Sequence, residues 1–375
     1  MKKIKILTVV GTRPEIIRLS RIIDKFDQYF DHILVNTDQN YDKNLNQIFF
    51  DDLNIRKPNY NLKIKKENSI DFIGTSLIEV NKILIKEKPD AFFILGDTNS
   101  ALTVIAAKKN KIPIFHMEAG NRCFDLRVPE EINRKTIDHL SDINLTYSKN
   151  SKQYLINEGL DPDKIITIGS PLPEVFKFFS KKINNSKILR KSNIRKNEYF
   201  LASIHRDENV ENIKNFEKIL EFFDLVIKKY KKPILVSTHP RTMQKIKQQK
   251  QPINEKIIFA KPLNFSDYNS LQINALVVLS DSGTITEESS ILNLTSLNIR
   301  EAQERPEGME EATVIMTGTK ISNLFNALEI VLKQKKNKVK FNKIDDYKSE
   351  NVSEKIPRII LSYIDQINQK IWFKK

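Results

Sequence analysis

At 375 residues, 40% apolar and 29% charged, the chain is long enough for two globular domains, and no apolar run approaches the ~20 residues that span a bilayer. A net charge of +15 would suit a nucleic-acid binder, but the lysines are scattered over helices and connections without interleaved aromatics, so no nucleic-acid partner is expected. The single cysteine, Cys123, excludes an internal disulfide and any cysteine-based metal cluster.

The first apolar run, Ile4–Val10, is too short for a secretion signal and leads into a polar motif. It reads as a strand, and the chain is expected in the cytoplasm. Further strand-like runs follow at Ile33–Asn36, Ala91–Leu95, Ile112–Met117, Ile143–Tyr147 and Ile165–Ile168. Between them Glu15–Phe26, Ile70–Lys86 and Ser151–Glu158 carry helical periodicity. A second series runs through Phe200–Ile204, Ile234–Ser237, Ile257–Ala260, Leu276–Leu279, Ser296–Ile299 and Thr313–Thr317, with a helix expected at Ile213–Tyr230. Such alternation signals βαβ units and parallel sheets. The polar, lysine-rich stretch 177–197 reads as a linker. The fold class is therefore α/β, with two Rossmann-like doubly wound domains over 1–176 and 177–375. The amphipathic segment Ile356–Phe373 is able to pack on either.

Only nine glycines occur, and six of them, Gly11, Gly96, Gly120, Gly169, Gly283 and Gly318, stand where predicted strands end. Ligands of open parallel sheets bind beyond those ends, and with two domains the crevice between them is the default site. In the first half, Gly11–Glu15 brings Arg13 to a helix mouth, with Arg18 one turn on; a diphosphate clamp and a plain surface charge both fit Arg13. Asp97, Glu118 and Glu130 fall at neighbouring strand and helix ends, beside Arg134. Each fits an N-cap or ion pair, whereas three carboxylates together also suit acid/base work. His116 lies one position inside its strand and reads as packing or support, while His32 and His139 read as structural.

In the second half the strand ends carry His205 and His239. The stretch Leu279–Asn293 joins a strand to a helix through Ser282, Gly283 and Thr284. Small residues there leave backbone N–H groups open to an anion, and Glu287 and Glu288 one turn later suit a ribose diol. An ordinary capped helix start gives the same pattern. Arg305 sits in a charged loop that follows the next strand. No phosphate-binding G-x-x-x-x-G-K-[ST], dinucleotide G-x-G-x-x-G, zinc H-E-x-x-H or nucleophile G-x-S-x-G motif is present. Neither a metal nor a nicotinamide cofactor is expected.

The ordered set GTRPE (Gly11–Glu15), GDTNS (Gly96–Ser100), HMEAG (His116–Gly120), PEEINR (Pro129–Arg134), HRDEN (His205–Asn209), SDSGTITEE (Ser280–Glu288) and ERPEG (Glu304–Gly308) resembles the non-hydrolysing UDP-N-acetylglucosamine 2-epimerase family. The resemblance implies a glycosyltransferase-B-type architecture, a UDP-sugar substrate in the interdomain cleft and a homodimer. It implies inversion at C2 by elimination and re-addition of UDP. Its catalytic carboxylates fall on Asp97, Glu118 and Glu130, and its motif histidine on His205. Its UDP contacts fall on Arg13, Ser282, Gly283, Thr284 and Glu288, with Arg134 and Arg305 as further polar contacts. Arg18 replaces a common lysine, SGT replaces SGG, and Gly120–Glu131 is short. These departures look like the branch that converts UDP-2-acetamido-2,6-dideoxy-L-talose to UDP-N-acetyl-L-fucosamine for surface polysaccharides. The family's allosteric Gln-His pair is here Gln39 and Asn40, so an allosteric site does not carry over. UDP-N-acetylglucosamine epimerisation and glycosyl transfer on the same fold remain alternatives.

Overall fold

Short runs rich in Ile, Val, Leu and Phe, apolar on both faces, are what a parallel sheet covered on two sides requires. In the computed structural model, which describes residues 3–39, 43–64, 68–210, 212–238, 243 and 253–374, they form two such sheets. The chain divides into one unit of Met1–Phe178 with Asp346–Lys375 and another of Phe179–Asp345.

The first unit holds β1 (Lys5–Val10), β2 (Asp31–Asn36), β3 (Tyr60–Asn61), β4 (Ala91–Leu95), β5 (Ile114–Ala119), β6 (Ile143–Thr146) and β7 (Ile165–Thr167). Their order is β3-β2-β1-β4-β5-β6-β7, all parallel. The second unit holds β8 (Phe200–Ser203), β9 (Ile234–Ser237), β10 (Ile257–Ala260), β11 (Val277–Ser280), β12 (Ser296–Asn298) and β13 (Ile315–Met316). Its order is β10-β9-β8-β11-β12-β13, again all parallel. Strand order reverses beside β1 in one sheet and beside β8 in the other. The loops leaving β1 and β4, and those leaving β8 and β11, therefore diverge and open a crevice at the carboxyl edge of each sheet.

Alternation along the strands supplies both faces. Phe200 and Ala202 pack with Phe222, Val226 and Leu328, whereas Tyr199 and Leu201 pack with Leu271 and Ile285. In the first unit Leu7 and Val9 join Val80, Leu84 and Phe92 on one side. On the other, Phe26 of the helix Arg13–Tyr29 meets the Phe93 ring edge-on at 5.1 Å. No helix among the described residues is long and apolar enough to cross a membrane.

The stretch read as a linker is in fact mostly helical. The helix Leu172–Asn184 runs into it and a turn at Ile188–Lys191 follows. Phe176, Phe179 and Ile183, spaced three and four apart, are buried, while Lys177, Lys181 and Lys182 face outward. An amphipathic helix with so many lysines on its wet side looks polar throughout when read by composition. The closing helix Val352–Lys370 lies along Arg13–Tyr29, where Glu354 accepts from the Tyr29 hydroxyl at 3.1 Å and pairs with Lys25 at 2.7 Å.

Gly11 ends β1 beneath the hydrogen-bonded hydroxyls of Thr37 and Ser100, 2.7 Å apart. A Cβ added there would lie against both oxygens, 2.5 Å from Thr37 Oγ1. Gly11→Ala is expected to lower stability by about 1–3 kcal/mol through overpacking, read from urea unfolding. An unchanged midpoint would show that the two hydroxyls move aside freely.

Candidate active site

Two strand ends of the first unit carry the partly exposed acids Glu118 and Asp97. At the end of β5 the register with β6 slips between Met117 and Ala119, and Glu118 adopts φ +67°. A bulge of this kind breaks the in-out alternation and re-aims a side chain. Glu118 Oε2 lies 3.6 Å from Arg18 Nε, and Oε1 lies 3.4 Å from the Asn121 amide. Arg18 is itself buried, its guanidinium 5.4 Å from the centre of the Tyr147 ring. At the end of β4, Gly96 turns at φ +74° and presents Asp97. Arg134 donates twice to Asp97 Oδ2, at 3.0 and 2.6 Å. The Asp97 side chain stays 26% exposed.

Arg134 is placed by Glu131, whose Oε2 accepts its third bond at 3.0 Å. Glu131 is wholly buried and also takes the backbone N–H groups of Cys123 and Phe124 at 3.1 and 3.2 Å. Glu130, the neighbour singled out from sequence, is half-buried at the start of the helix Glu130–Leu140. Glu131 thus builds the loop, while the adjacent Glu130 stands at the helix start.

The helix mouth at Arg13 is already filled. Glu15 Oε2 accepts from the N–H groups of Gly11 and Thr12 at 2.6 and 2.7 Å, and Oε1 accepts from the Thr98 hydroxyl at 2.6 Å. The backbone N–H groups at this helix start hold an internal carboxylate. What remains for an anion is the half-buried Arg13 side chain, 5.9 Å over the Phe49 ring. Burial outweighs those donors and pushes the Glu15 carboxyl up to about 7.

In the second unit β11 delivers Asp281, fully buried, beside the end of β8. Its carboxylate accepts from the backbone of His205 (3.0 Å) and Arg206 (2.9 Å) and from the Asn209 side chain (3.1 Å). The His205 ring adds Nδ1 at 3.1 Å, and Nε2 has no protein partner among the described residues. Burial alone would raise the Asp281 carboxyl, but His205 and these donors hold it below the usual carboxylate range.

The following turn joins the Ser282 and Thr284 hydroxyls at 2.8 Å. A Cβ on Gly283 would lie 2.9 Å from one Arg305 nitrogen, 3.3 Å from a Glu304 carboxylate oxygen and 3.4 Å from one Arg300 nitrogen, so two buried guanidiniums and a buried carboxylate pack against the turn. Arg305 Nε donates to the buried Glu287 at 2.8 Å, and Arg300 donates to Glu304 at 3.1 Å. Glu288 is half-buried and accepts from Gln272 at 2.7 Å. His239 lies outside the described residues. Glu15, Glu131 and Arg300 escape a motif-by-motif reading, although each sits within or beside a motif.

Two all-parallel α/β domains, each with its polar residues gathered past the strand ends at a switch point, define a protein of the GT-B-like class. A family model described as UDP-N-acetylglucosamine 2-epimerase matches residues 24–361. The chain is 37% identical over 348 residues to the UDP-N-acetylglucosamine 2-epimerase of Methanocaldococcus jannaschii, covering 89% of this chain and 93% of that one. The structure of UDP-N-acetylglucosamine 2-epimerase from Rickettsia bellii superposes with TM-score 0.93 at 48% identity, over 99% of this chain and 100% of that one. A structure of the M. jannaschii UDP-GlcNAc 2-epimerase in complex with UDP-GlcNAc and UDP gives 0.89 at 35% identity, over 96% and 100%. The chain belongs to the UDP-N-acetylglucosamine 2-epimerase family, and it is an isomerase of the UDP-sugar 2-epimerase type.

Glu15 makes stability depend on pH. An acid whose pKa rises on folding, here from 4.5 to about 7, holds its proton longer in the folded chain. Stability is then fullest below 4.5 and falls as pH climbs toward 7, by about 3 kcal/mol in all. Glu15→Gln is expected to remove this decline. Urea midpoints of both proteins between pH 4.5 and 8 should converge and then cross, and parallel curves would contradict the assignment.

Proposed function

We propose that the chain inverts C2 of a UDP-2-acetamido sugar by eliminating and re-adding UDP, with no external cofactor. The C2 proton of such a sugar has no neighbouring carbonyl to acidify it. Expelling UDP from C1 as the proton leaves C2 gives an unsaturated sugar and avoids a free carbanion. The route needs proton-transfer groups that serve both faces of C2 and a receptor for the departing diphosphate. Asp97, Glu118 and Glu130 supply the first. His205, Ser282, Gly283 and Thr284 supply the second, with Arg13, Arg305 and Arg300, and Glu288 takes the ribose. In this reading the two half-sites act on one substrate molecule, with Arg18 and Arg134 holding the carboxylates and His239 completing the nucleotide contacts.

The observation that carries the reading is the contrast among the acids. Glu15, Glu131 and Asp281 are buried and hold several donors each, whereas the Asp97 side chain stays 26% exposed, one strand away from the re-aimed Glu118. Reaction in D2O should place deuterium at C2 of the product. Glu118→Gln should cut turnover by about 10³-fold or more while UDP still binds. Product free of deuterium would remove the scheme.

For the sugar we propose UDP-2-acetamido-2,6-dideoxy-L-talose, giving UDP-N-acetyl-L-fucosamine for a surface polysaccharide, with the reaction in the cytoplasm. The short segment Gly120–Glu131 supports this, and its Phe124 and Leu126, 68% and 69% exposed, offer apolar surface to a 6-methyl group. The relatives' names favour UDP-N-acetylglucosamine and its C2 epimer as the second reading. A panel of UDP-sugars followed by NMR at C2 decides, and turnover of UDP-N-acetylglucosamine alone would reject the L-sugar. Epimerisation without any acceptor separates both from glycosyl transfer.

We also propose a homodimer. The helix Ser69–Glu87 leaves Ile70, Ile78 and Ile85 exposed at 74%, 59% and 57%, an apolar stripe that suits a second copy. Sedimentation should show a dimer that Ile78→Asp weakens, and a monomeric wild type would end the proposal.

A further inference from the structure

The strained turn at Glu118 is held from outside the acid cluster. Asp138, in the last turn of the helix Glu130–Leu140, is completely buried and faces three groups from β5 and the segment that follows it. His116 Nδ1 lies 2.9 Å from Oδ1, Arg122 donates to Oδ2 at 2.7 Å, and the Gly120 N–H donates at 3.2 and 3.3 Å to the two oxygens. The second ring nitrogen of His116 lies 2.9 Å from the carbonyl oxygen of Gly96, on the turn that presents Asp97. Arg122 is committed on its far side to Glu158, with bonds of 2.7 and 2.6 Å, and to the Asn121 carbonyl oxygen at 2.7 Å.

The His116 ring thus lies against the carboxylate to which the Gly120 N–H donates, and Glu118 between them stands at φ +67°, where L side chains rarely sit. Gly120 follows at φ +78°, with the Ser151 carbonyl where a Cβ would go, so the turn has no slack on that side. Burial opposes ionisation of Asp138, yet His116 and Arg122 hold its carboxyl below the usual range.

We infer that Asp138 is a positioning residue for proton transfer at C2: through His116, Gly120 and Arg122 it fixes the backbone at Glu118 and aims that carboxylate relative to Asp97. The inference rests on the reading of Glu118 as a proton-transfer group. A purely structural ion pair would make the same contacts, but its removal would lower the amount of folded enzyme and leave the behaviour of each folded molecule intact.

The test measures Asp138→Asn and His116→Gln in the full-length enzyme with its UDP-sugar substrate, with rates expressed per UDP-binding site found by titration so that misfolded chains do not count. Both variants are expected to lower kcat per site, by about 10²-fold for Asp138→Asn, with KM and the UDP Kd within about threefold of wild type. His116→Gln leaves the Asp138–Arg122 pair in place and carries the test if Asp138→Asn does not fold. A kcat per site within about threefold of wild type in the folded variants would overturn the inference, as would a KM that rises in step with the loss. A wild-type enzyme that exchanges no hydrogen at C2 would overturn the epimerase reading itself, and this inference with it.

Discussion

A carboxylate withdrawn from water must be surrounded by donors, because an unpaired buried charge costs far more than a loop conformation can return. Three such carboxylates hold the strand ends of this molecule. Glu15 collects the N–H groups of Gly11 and Thr12 and the Thr98 hydroxyl, joining the ends of β1 and β4. Asp138 collects Gly120, Arg122 and His116 at the end of β5. Asp281 collects His205, Arg206 and Asn209, joining β8 to β11. Each satisfies backbone groups that a parallel sheet leaves open where its strands stop, and each fixes the turn on which a candidate site residue stands.

The same topology ends differently in its two halves. The first strand-to-helix turn of the amino-terminal unit is closed by its own glutamate, which takes the N–H groups of Gly11 and Thr12. The corresponding turn at Ser282–Thr284 is lined by hydroxyls, and the side chains of Arg305, Glu304 and Arg300 pack against its glycine.

Most strands were legible because a parallel sheet buries both faces and writes each strand as an uninterrupted apolar run. The failures have equally physical causes. The two-residue strand at Tyr60–Asn61 is too short to imprint a pattern, and as the edge strand it pairs only with β2. The helix Leu172–Asn184 hides its apolar stripe behind lysines. In the site, motif positions located Asp97, Glu118, Ser282 and Gly283 at strand ends, but sequence could not say which way adjacent acids point. Glu130 and Glu131 differ by one position, about 100° around a helix, and that rotation separates a half-buried residue from one that anchors a loop. Glu15 reads as a capping-box glutamate and Asp138 as a helix-surface charge, because a single sequence does not reveal that Thr98 reaches the one and that Gly120 and Arg122 reach the other.

The closing segment Asp346–Lys375 returns to the first unit, so the second unit is contiguous and the first is interrupted by it. During synthesis the second unit's residues are all available before the first has its last helix. Glu354 meets Lys25 and Tyr29 across almost the whole length of the chain. Completion of the first unit's fold therefore waits on the helix Val352–Lys370 leaving the ribosome, and a stop codon ahead of that helix damages the unit whose synthesis began earlier.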